Sequence, residues 1–277
     1  MQDCITVKPF LRWAGGKSWL VNDVIDLLPV KFNNYHEPFL GSGSVFIKLK
    51  SNFHLNERVF LNDSNAQLIN AFRQVKNHPE IICSHLKRYR NNERLFYQIR
   101  KRQSLDKILN ASEFIFLNRT CFNGIFRVNL NGEFNVPYGF KKYKRLFDYK
   151  NIQAIHKLLK YNVSLSAGDF FETLKNIKEN DLVFIDPPYT VNHENNGFIR
   201  YNEKIFSWED QVRLKSFIVE LIKRKAFFIM TNASHKSIFN LFGDIVTPFK
   251  KERSSLISSK MSARGPVNEY IFSNCLK

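Results

Sequence analysis

The sequence predicts an α/β fold, on three observations. Short apolar runs of strand length recur along the chain. Between them lie longer stretches with apolar residues at helical spacing. An apolar content of 44%, with 27 Phe, supplies the material for a packed core, and strands alternating with helical patterns read as α/β architecture.

Taken in order, Val59-Phe60-Leu61 is a strand that leads into Asn62-Asp63. Leu68, Ile69, Phe72 and Val75 then recur at the spacing of one helix face. Asp181-Leu182-Val183-Phe184-Ile185 is a buried strand ending at Asp186. Ser207 and Asp210 form a Ser-x-x-Asp capping signal, which opens a helix carrying Val212, Phe217, Val219, Leu221 and Ile222. Ala226 to Thr231 reads as the next strand, and Glu269 to Phe272 as the last. The segment from Gln67 to Lys160 differs. It is rich in Arg, Lys, Asn and aromatics, its strand signals are weak, and it holds basic clusters at Lys87-Arg88-Tyr89-Arg90, Arg100-Lys101-Arg102 and Lys141-Lys142-Tyr143-Lys144-Arg145. Charge runs of this kind commonly form a solvated helical surface. Rings among cations also suit a nucleic acid, whose bases stack while Lys and Arg meet phosphates.

Lys and Arg total 42 against 25 Asp and Glu, a formal net charge of +17. Such an excess concerns partners rather than fold, and a polyanion comes first. No stretch approaches the roughly 20 apolar residues that span a bilayer, so no membrane partner is expected. Met1-Gln2-Asp3-Cys4 lacks the basic-then-apolar pattern of a secretory signal, and a cytoplasmic location is expected. Cys4, Cys83, Cys121 and Cys275 are far apart and the seven His show no ligand spacing. Neither a disulfide framework nor a metal site is inferred.

Three motifs carry chemistry. Asp186-Pro187-Pro188-Tyr189 follows an apolar strand. Two prolines stiffen the loop and remove two N–H donors, leaving carbonyl acceptors beside a carboxylate and a ring. At the carboxyl end of a strand this set suits an exocyclic amine: the Asp186 side chain and the Pro187 carbonyl can each accept an N–H, and Tyr189 can stack on a base. The same four residues also fit an ordinary proline-rich turn. Glu37-Pro38-Phe39-Leu40-Gly41-Ser42-Gly43-Ser44 has glycines that permit close backbone approach, with Asp63 20 positions beyond Gly43 to take ribose hydroxyls. It departs from the full G-x-G-x-x-G pattern, since residue 46 is Phe, and a plain glycine turn stays open. Phe10-Leu11-Arg12-Trp13-Ala14-Gly15-Gly16-Lys17-Ser18 ends like a phosphate-binding loop but has Leu11 where that pattern wants glycine. A lysine beside two glycines suits instead the carboxylate of an amino-acid-like ligand.

With these motifs in place, the chain resembles the Dam-type DNA adenine methyltransferases along nearly its whole length. The most specific stretch is Leu117-Asn118-Arg119-Thr120-Cys121-Phe122-Asn123-Gly124-Ile125-Phe126-Arg127, continuing through Asn129-Leu130-Asn131-Gly132-Glu133-Phe134-Asn135-Val136-Pro137-Tyr138-Gly139. The resemblance implies a Rossmann-like S-adenosylmethionine-dependent methyltransferase core, residues 1–66 and 161–277, with an inserted, mainly helical DNA target-recognition domain, residues 67–160. It implies S-adenosylmethionine as methyl donor, without metal. Cofactor positions carry over to Trp13, Lys17, Glu37, Phe39, Gly41, Gly43, Asp63, Asp169 and Asp186, and catalytic positions to Asp186, Pro187 and Tyr189. DNA contacts carry over to Arg12, Arg119, Phe122, Asn123, Ile125, Arg127, Asn129, Asn135, Pro137 and Lys141. Arg12, Ile125, Arg127 and Pro137 match residues that read GATC, while Phe122 and Asn123 match a pair entering the space vacated by a flipped base.

Elementary chemistry agrees with those roles. Arg fits guanine O6 and N7, worth about 1–3 kcal/mol per good bidentate pair, and Ile suits a thymine methyl. An aromatic wedge offsets part of the unstacking that base extrusion requires. Relatives of this type carry a basic residue where this chain has Phe140, a role open to Lys141 and Lys142. The leading Asp of Asp186-Pro187-Pro188-Tyr189, with the recognition stretch, favours adenine in double-stranded DNA over cytosine N4, RNA or a protein amide. A nucleic-acid binder with decayed catalysis is the rival class, against which stand Trp13, Lys17, Asp63 and Asp186. The resemblance further implies action as a monomer, and it is compatible with a cognate restriction endonuclease acting separately.

Overall fold

The computed structural model describes residues 6–52, 54–102, 104–129, 131–190, 206–254 and 266–275; Cys4 and Leu130 lie outside them. In chain order the elements are α1 (Val21–Asp26), β1 (Tyr35–Glu37), α2 (Ser44–Ser51), β2 (Val59–Asp63), α3 (Ala66–Asn77), α4 (Pro79–Arg88), α5 (Glu93–Lys101), α6 (Lys107–Thr120), α7 (Tyr149–Lys160), β3 (Val163–Ala167), β4 (Leu182–Ile185), α8 (Trp208–Lys223), β5 (Phe227–Ala233), α9 (Lys236–Phe242), β6 (Phe249–Ser254) and β7 (Pro266–Ser273). Short 3₁₀ turns occupy Phe122–Gly124 and Phe170–Asn176. Seven strands form a mixed sheet, as an α/β chain requires. The chain divides into two compact units, the first Met1–Val21 with Leu40–Gly168, the second Asn22–Phe39 with Asp169–Lys277.

In the first unit β2 and β3 pair in parallel, Val59 opposite Val163 through Asp63 opposite Ala167. The helix expected from Leu68, Ile69, Phe72 and Val75 is α3, and those four residues are its buried face. Asn65 starts it by accepting the N–H groups of Gln67 and Leu68, which would otherwise lack partners. α6 lies against α3, α4 and α5. It is buried on several sides, from Ala111 through Phe116 and at Asn118 and Thr120, as befits a helix surrounded by others. Its buried Glu113 is paired with Arg102, just beyond α5. The whole segment 67–160 belongs to this unit, and among its described residues the only β pairing is two isolated bridges, Cys121 with Tyr138 and Val128 with Phe134.

In the second unit β1, β4 and β5 run parallel, β7 pairs antiparallel with β5, and β6 with β7. Parallel strands joined through a helix, with an antiparallel pair at one side, give this unit its Rossmann-like character. α8 has the full capping box between Ser207 and Asp210 that the sequence announces. Its buried stripe is Leu214, Phe217, Ile218 and Leu221 with Gln211, whereas Val212 and Ile222 are largely exposed. At 100° per residue, Val212 is turned about 160° away from Leu214 and faces solvent. The core beneath α8 gathers Val183, Ile185, Phe228, Met230, Phe242 and Phe272 around these side chains.

One carboxylate ties these strands together. Asp181, fully buried, accepts from the backbone N–H of Asn34 and its side-chain amide, from the N–H of Lys178, and pairs with His36 Nε2 at 2.9 Å. Its backbone carbonyl accepts from Phe227 N at the start of β5. Burial pushes the carboxyl up, but the His36 bond and the two backbone donors outweigh it and hold Asp181 below the usual aspartate range.

Because this folded pKa is depressed, the native state holds fewer protons than the unfolded chain below about pH 4. The contribution is present above the unfolded value near 3.9 and is lost as pH falls through the folded one. Asp181→Asn is expected to be less stable at neutral pH, by roughly 2–4 kcal/mol, since it leaves buried donors without their acceptor. Its urea-melt stability should also fall less steeply than wild type between about pH 4 and pH 2.

Candidate active site and nucleic-acid interface

The first unit carries the glycine loop and its surroundings. Gly41 has φ +49°, in the left-handed region, and its N–H donates to Asp63 Oδ2 at 2.9 Å. A Cβ here would lie 3.1 Å from Cδ1 of Trp13, so the loop backbone rests directly against the indole edge. Gly43 stands at the N-cap of α2 without a side-chain cap. Trp13 stacks on Phe126 at 5.5 Å and leans on Phe114. Lys17 is buried; its backbone N–H donates to Ser44 Oγ at 3.1 Å and its ammonium to the Gly15 carbonyl at 3.0 Å. Asp63 Oδ1 accepts from Asn65 N. Burial raises the Asp63 carboxyl above its usual value against the opposing pull of these two backbone donors. A carboxylate with about four acceptor sites keeps capacity for further donors. The sequence expectations Trp13, Lys17, Gly41, Gly43 and Asp63 thus meet in one neighbourhood.

The recognition stretch is also in this unit. Asn118, buried within α6, clamps Arg12 from both sides, accepting from its N–H at 2.8 Å and donating to its carbonyl at 2.7 Å. A Cβ on Gly124 would fall 2.5 Å from Arg12 Cβ, so only glycine admits this approach. Arg12 Nη1 reaches Tyr143 Oη at 3.3 Å. Phe122 is half-exposed at the tip of its turn, with Asn123 beside it in the left-handed region. Pro137 accepts from Phe122 N, and Arg127 is exposed with Nε bonded to Asn135 Oδ1 at 2.8 Å. Ile125 is half-buried and Lys141 exposed. Asn129 organises a turn instead of presenting its amide, accepting from the N–H groups of Asn131 and Glu133 and donating to Glu133 Oε2. Arg119 is half-buried, bonded to the Leu146 carbonyl and laid over the Tyr143 ring, and burial lowers its pKa. Within the basic clusters the structure separates two kinds of cation. Arg100 and Arg102 are engaged with the Val136 carbonyl and Glu113, Lys87 lies over the Tyr149 ring and Arg145 pairs with Asp148, whereas Arg88, Lys142 and Lys144 are exposed.

The second unit carries Asp186-Pro187-Pro188-Tyr189 directly after β4. Asp186 Oδ1 accepts from the hydroxyl of Thr231 at 2.7 Å. Tyr189 donates its hydroxyl to Glu269 Oε2 at 2.6 Å. Burial first, then the charges of Asp186 and Glu269, push the phenol well above its ordinary pKa, so it acts as a neutral donor and ring. Behind the loop Thr190 donates to the Phe206 carbonyl and accepts from Gln211, and Gln211 accepts from Asn232, all buried. Glu37 is buried and accepts from Tyr35 at 2.9 Å. Phe39 stacks on Phe170 at 5.1 Å. Asp169 caps the following turn through Phe171 N and meets Arg213 Nη2 at 2.8 Å. Sequence reasoning missed Thr231, Asn232 and Glu269. Thr231 and Asn232 do close an apolar run, but the burial that obliges them and Glu269 to have partners is a property of the fold.

A carboxylate, two prolines and a tyrosine thus stand at the carboxyl end of a parallel strand, the end at which α/β sheets bind ligands. Residues 13–255 match the family described as D12 class N6 adenine-specific DNA methyltransferase, and the chain belongs to that family. It is 32% identical over 279 residues to the type II methyltransferase M1.LlaDCHI of Lactococcus lactis subsp. cremoris, covering 98% of this chain and 96% of that one. It is 33% identical over 252 residues to the type II methyltransferase M.MjaIII of Methanocaldococcus jannaschii, covering 84% and 86%. The DNA adenine methylase of Escherichia coli strain K12 is 31% identical over 232 residues, covering 81% and 80%. Among the described residues no helix is long and apolar enough to cross a membrane.

Gly41→Ala combines a left-handed backbone, costing about 1–2 kcal/mol for a residue with a Cβ, with pressure on Trp13. The expected result is a melting temperature a few degrees lower and reduced methylation; an unchanged melt would contradict the geometry.

Proposed function

We propose that this chain methylates N6 of adenine in duplex DNA at GATC, using S-adenosylmethionine, by direct in-line transfer to a base rotated out of the helix. The observation that carries the reading is Asp186-Pro187-Pro188-Tyr189 after β4, with its carboxylate and phenol each hydrogen-bonded from the strands alongside. In this reading the Asp186 carboxylate and the Pro187 carbonyl accept the two N–H groups of the adenine amine. Both hydrogens held in this way turn the nitrogen lone pair outward, and Tyr189 supports the ring. The protein's contribution is orientation and electrostatic pre-organisation rather than a covalent intermediate.

The methyl donor's fit rests on the first unit's glycine loop and the donor set around it. Gly41 lets the loop backbone lie directly against Trp13, where a Cβ would press on the indole. Asp63 suits ribose hydroxyls, and the buried Lys17 ammonium suits the carboxylate of the methionine portion. S-adenosylmethionine supplies an electrophilic methyl on a sulfonium when bound.

For the DNA, Arg12 and Arg127 are the guanine readers, with Ile125 and Pro137 on apolar base edges. The bonds from Arg12 Nη1 to Tyr143 Oη and from Arg127 Nε to Asn135 Oδ1 support this, since a pre-set guanidinium loses less entropy on binding. Phe122, half-exposed at a turn tip, is the wedge, with Asn123 beside it. Lys141 and Lys142 take phosphates in place of Phe140. Arg119 and Asn129 act by shaping this surface, given their internal bonds. Residues 67–160 serve as the recognition segment and the rest as the catalytic core. The chain acts as a monomer on cytoplasmic DNA, without metal, and a restriction enzyme of the same specificity would act separately.

Three outcomes are expected. Asp186→Ala abolishes transfer while its melt stays within a few degrees of wild type, and near-wild-type turnover would refute the scheme. Methylation of a random duplex library, followed by sequencing of modified adenines, returns GATC; another site would overturn the specificity. Arg127→Ala relaxes one base pair by about 1–3 kcal/mol of discrimination. A uniform loss with a shallower salt dependence would mark Arg127 as a phosphate contact instead.

A further inference from the structure

We infer that Thr231 of β5 and Glu269 of β7 are positioning residues that brace the catalytic loop, Thr231 setting the Asp186 carboxylate and Glu269 setting the Tyr189 ring. The inference rests on the reading of that loop as the amine-binding site and deepens it.

The ladder register creates the brace. β5 and β7 pair with Thr231 opposite Ile271 and Ala233 opposite Glu269. Residues two apart on a strand share a face, so Thr231 and Glu269 are diagonal neighbours on one face of the ladder. Both are buried, at 0% and 1% exposure. Each aims its polar group at a different residue of the loop, Thr231 Oγ1 to Asp186 Oδ1 at 2.7 Å and Tyr189 Oη to Glu269 Oε2 at 2.6 Å. The two bonds thus reach the first and last residues of the loop from one face of the β5–β7 ladder.

The physical need follows from the loop's composition. Pro187 and Pro188 fix the backbone but leave Asp186 χ1 and χ2, and the Tyr189 ring, to be set by side-chain contacts. A hydroxyl donating to one carboxylate oxygen selects one rotamer and leaves acceptor capacity for an amine N–H. A β-branched threonine is suited to this because its own χ1 is restricted. A buried carboxylate on the phenol fixes the ring plane by a charge-assisted bond. These groups orient the atoms that touch the base without touching it themselves.

The test uses the full chain, a duplex carrying GATC, and steady-state kinetics with thermal melts. Thr231→Val, which deletes the donor at nearly constant shape, is expected to lower kcat about 10- to 100-fold, the scale of a small misorientation. KM for DNA and for the methyl donor should stay within about threefold, and Thr231→Ser should restore most of kcat. Tyr189→Phe keeps the ring and deletes its hydroxyl. Stacking alone would leave its kcat unchanged, whereas the brace predicts a loss. Glu269→Gln, which retains an oxygen acceptor, should fall between wild type and Glu269→Leu. Wild-type kcat in both Thr231→Val and Tyr189→Phe would overturn the brace, as would a serine variant no better than valine. If the wild-type chain itself leaves adenine unmodified, the functional reading fails, which is a separate and distinguishable result.

Discussion

Asp181 lies fully buried at the amino end of a four-residue strand, and much of the second unit hangs on it. It gathers donors from Asn34, His36 and Lys178, and its carbonyl receives the first N–H of β5. Strand β4 advances only about 3.3 Å per residue, so four residues carry the chain roughly 13 Å. Whatever fixes Asp181 therefore fixes the level at which Asp186 emerges. One short apolar strand has a structural carboxylate at its entry and a chemical one at its exit.

Behind that exit the core is polar by construction. Thr190, Gln211, Thr231, Asn232 and Glu269 are all buried, and each has a hydrogen-bonding partner. An apolar filling would satisfy packing as well, and buried polar groups are costly when any bond fails. Their value is directional. Van der Waals packing locates the loop, while hydrogen bonds also set the angles of a carboxylate and a phenol that must meet an amine.

The first unit solves a related problem with different means. Asn118 fixes Arg12 through its backbone, and Gly124 permits that approach. Arg127 is held through its side chain by Asn135. Arg119, by contrast, is held by a carbonyl and a ring. Arginines that look alike in sequence thus divide into presented and internal groups, and the division is made by neighbours distant along the chain.

The sequence by itself determined the elements whose causes are local. The α3 face, the Ser207–Asp210 capping box and the strands before Asp63 and Asp186 follow from periodicity and caps spanning a few residues. The chemical character of Asp186-Pro187-Pro188-Tyr189 was legible for the same reason, since four adjacent residues carry it. Only the tertiary structure decided which side of α8 is buried, leaving Val212 and Ile222 exposed, because that depends on the strands beneath. It alone decided that Thr231 and Glu269 serve the loop. Those residues lie 45 and 80 positions from their partners, and the antiparallel register of β5 with β7, which no local pattern encodes, brings them onto one face.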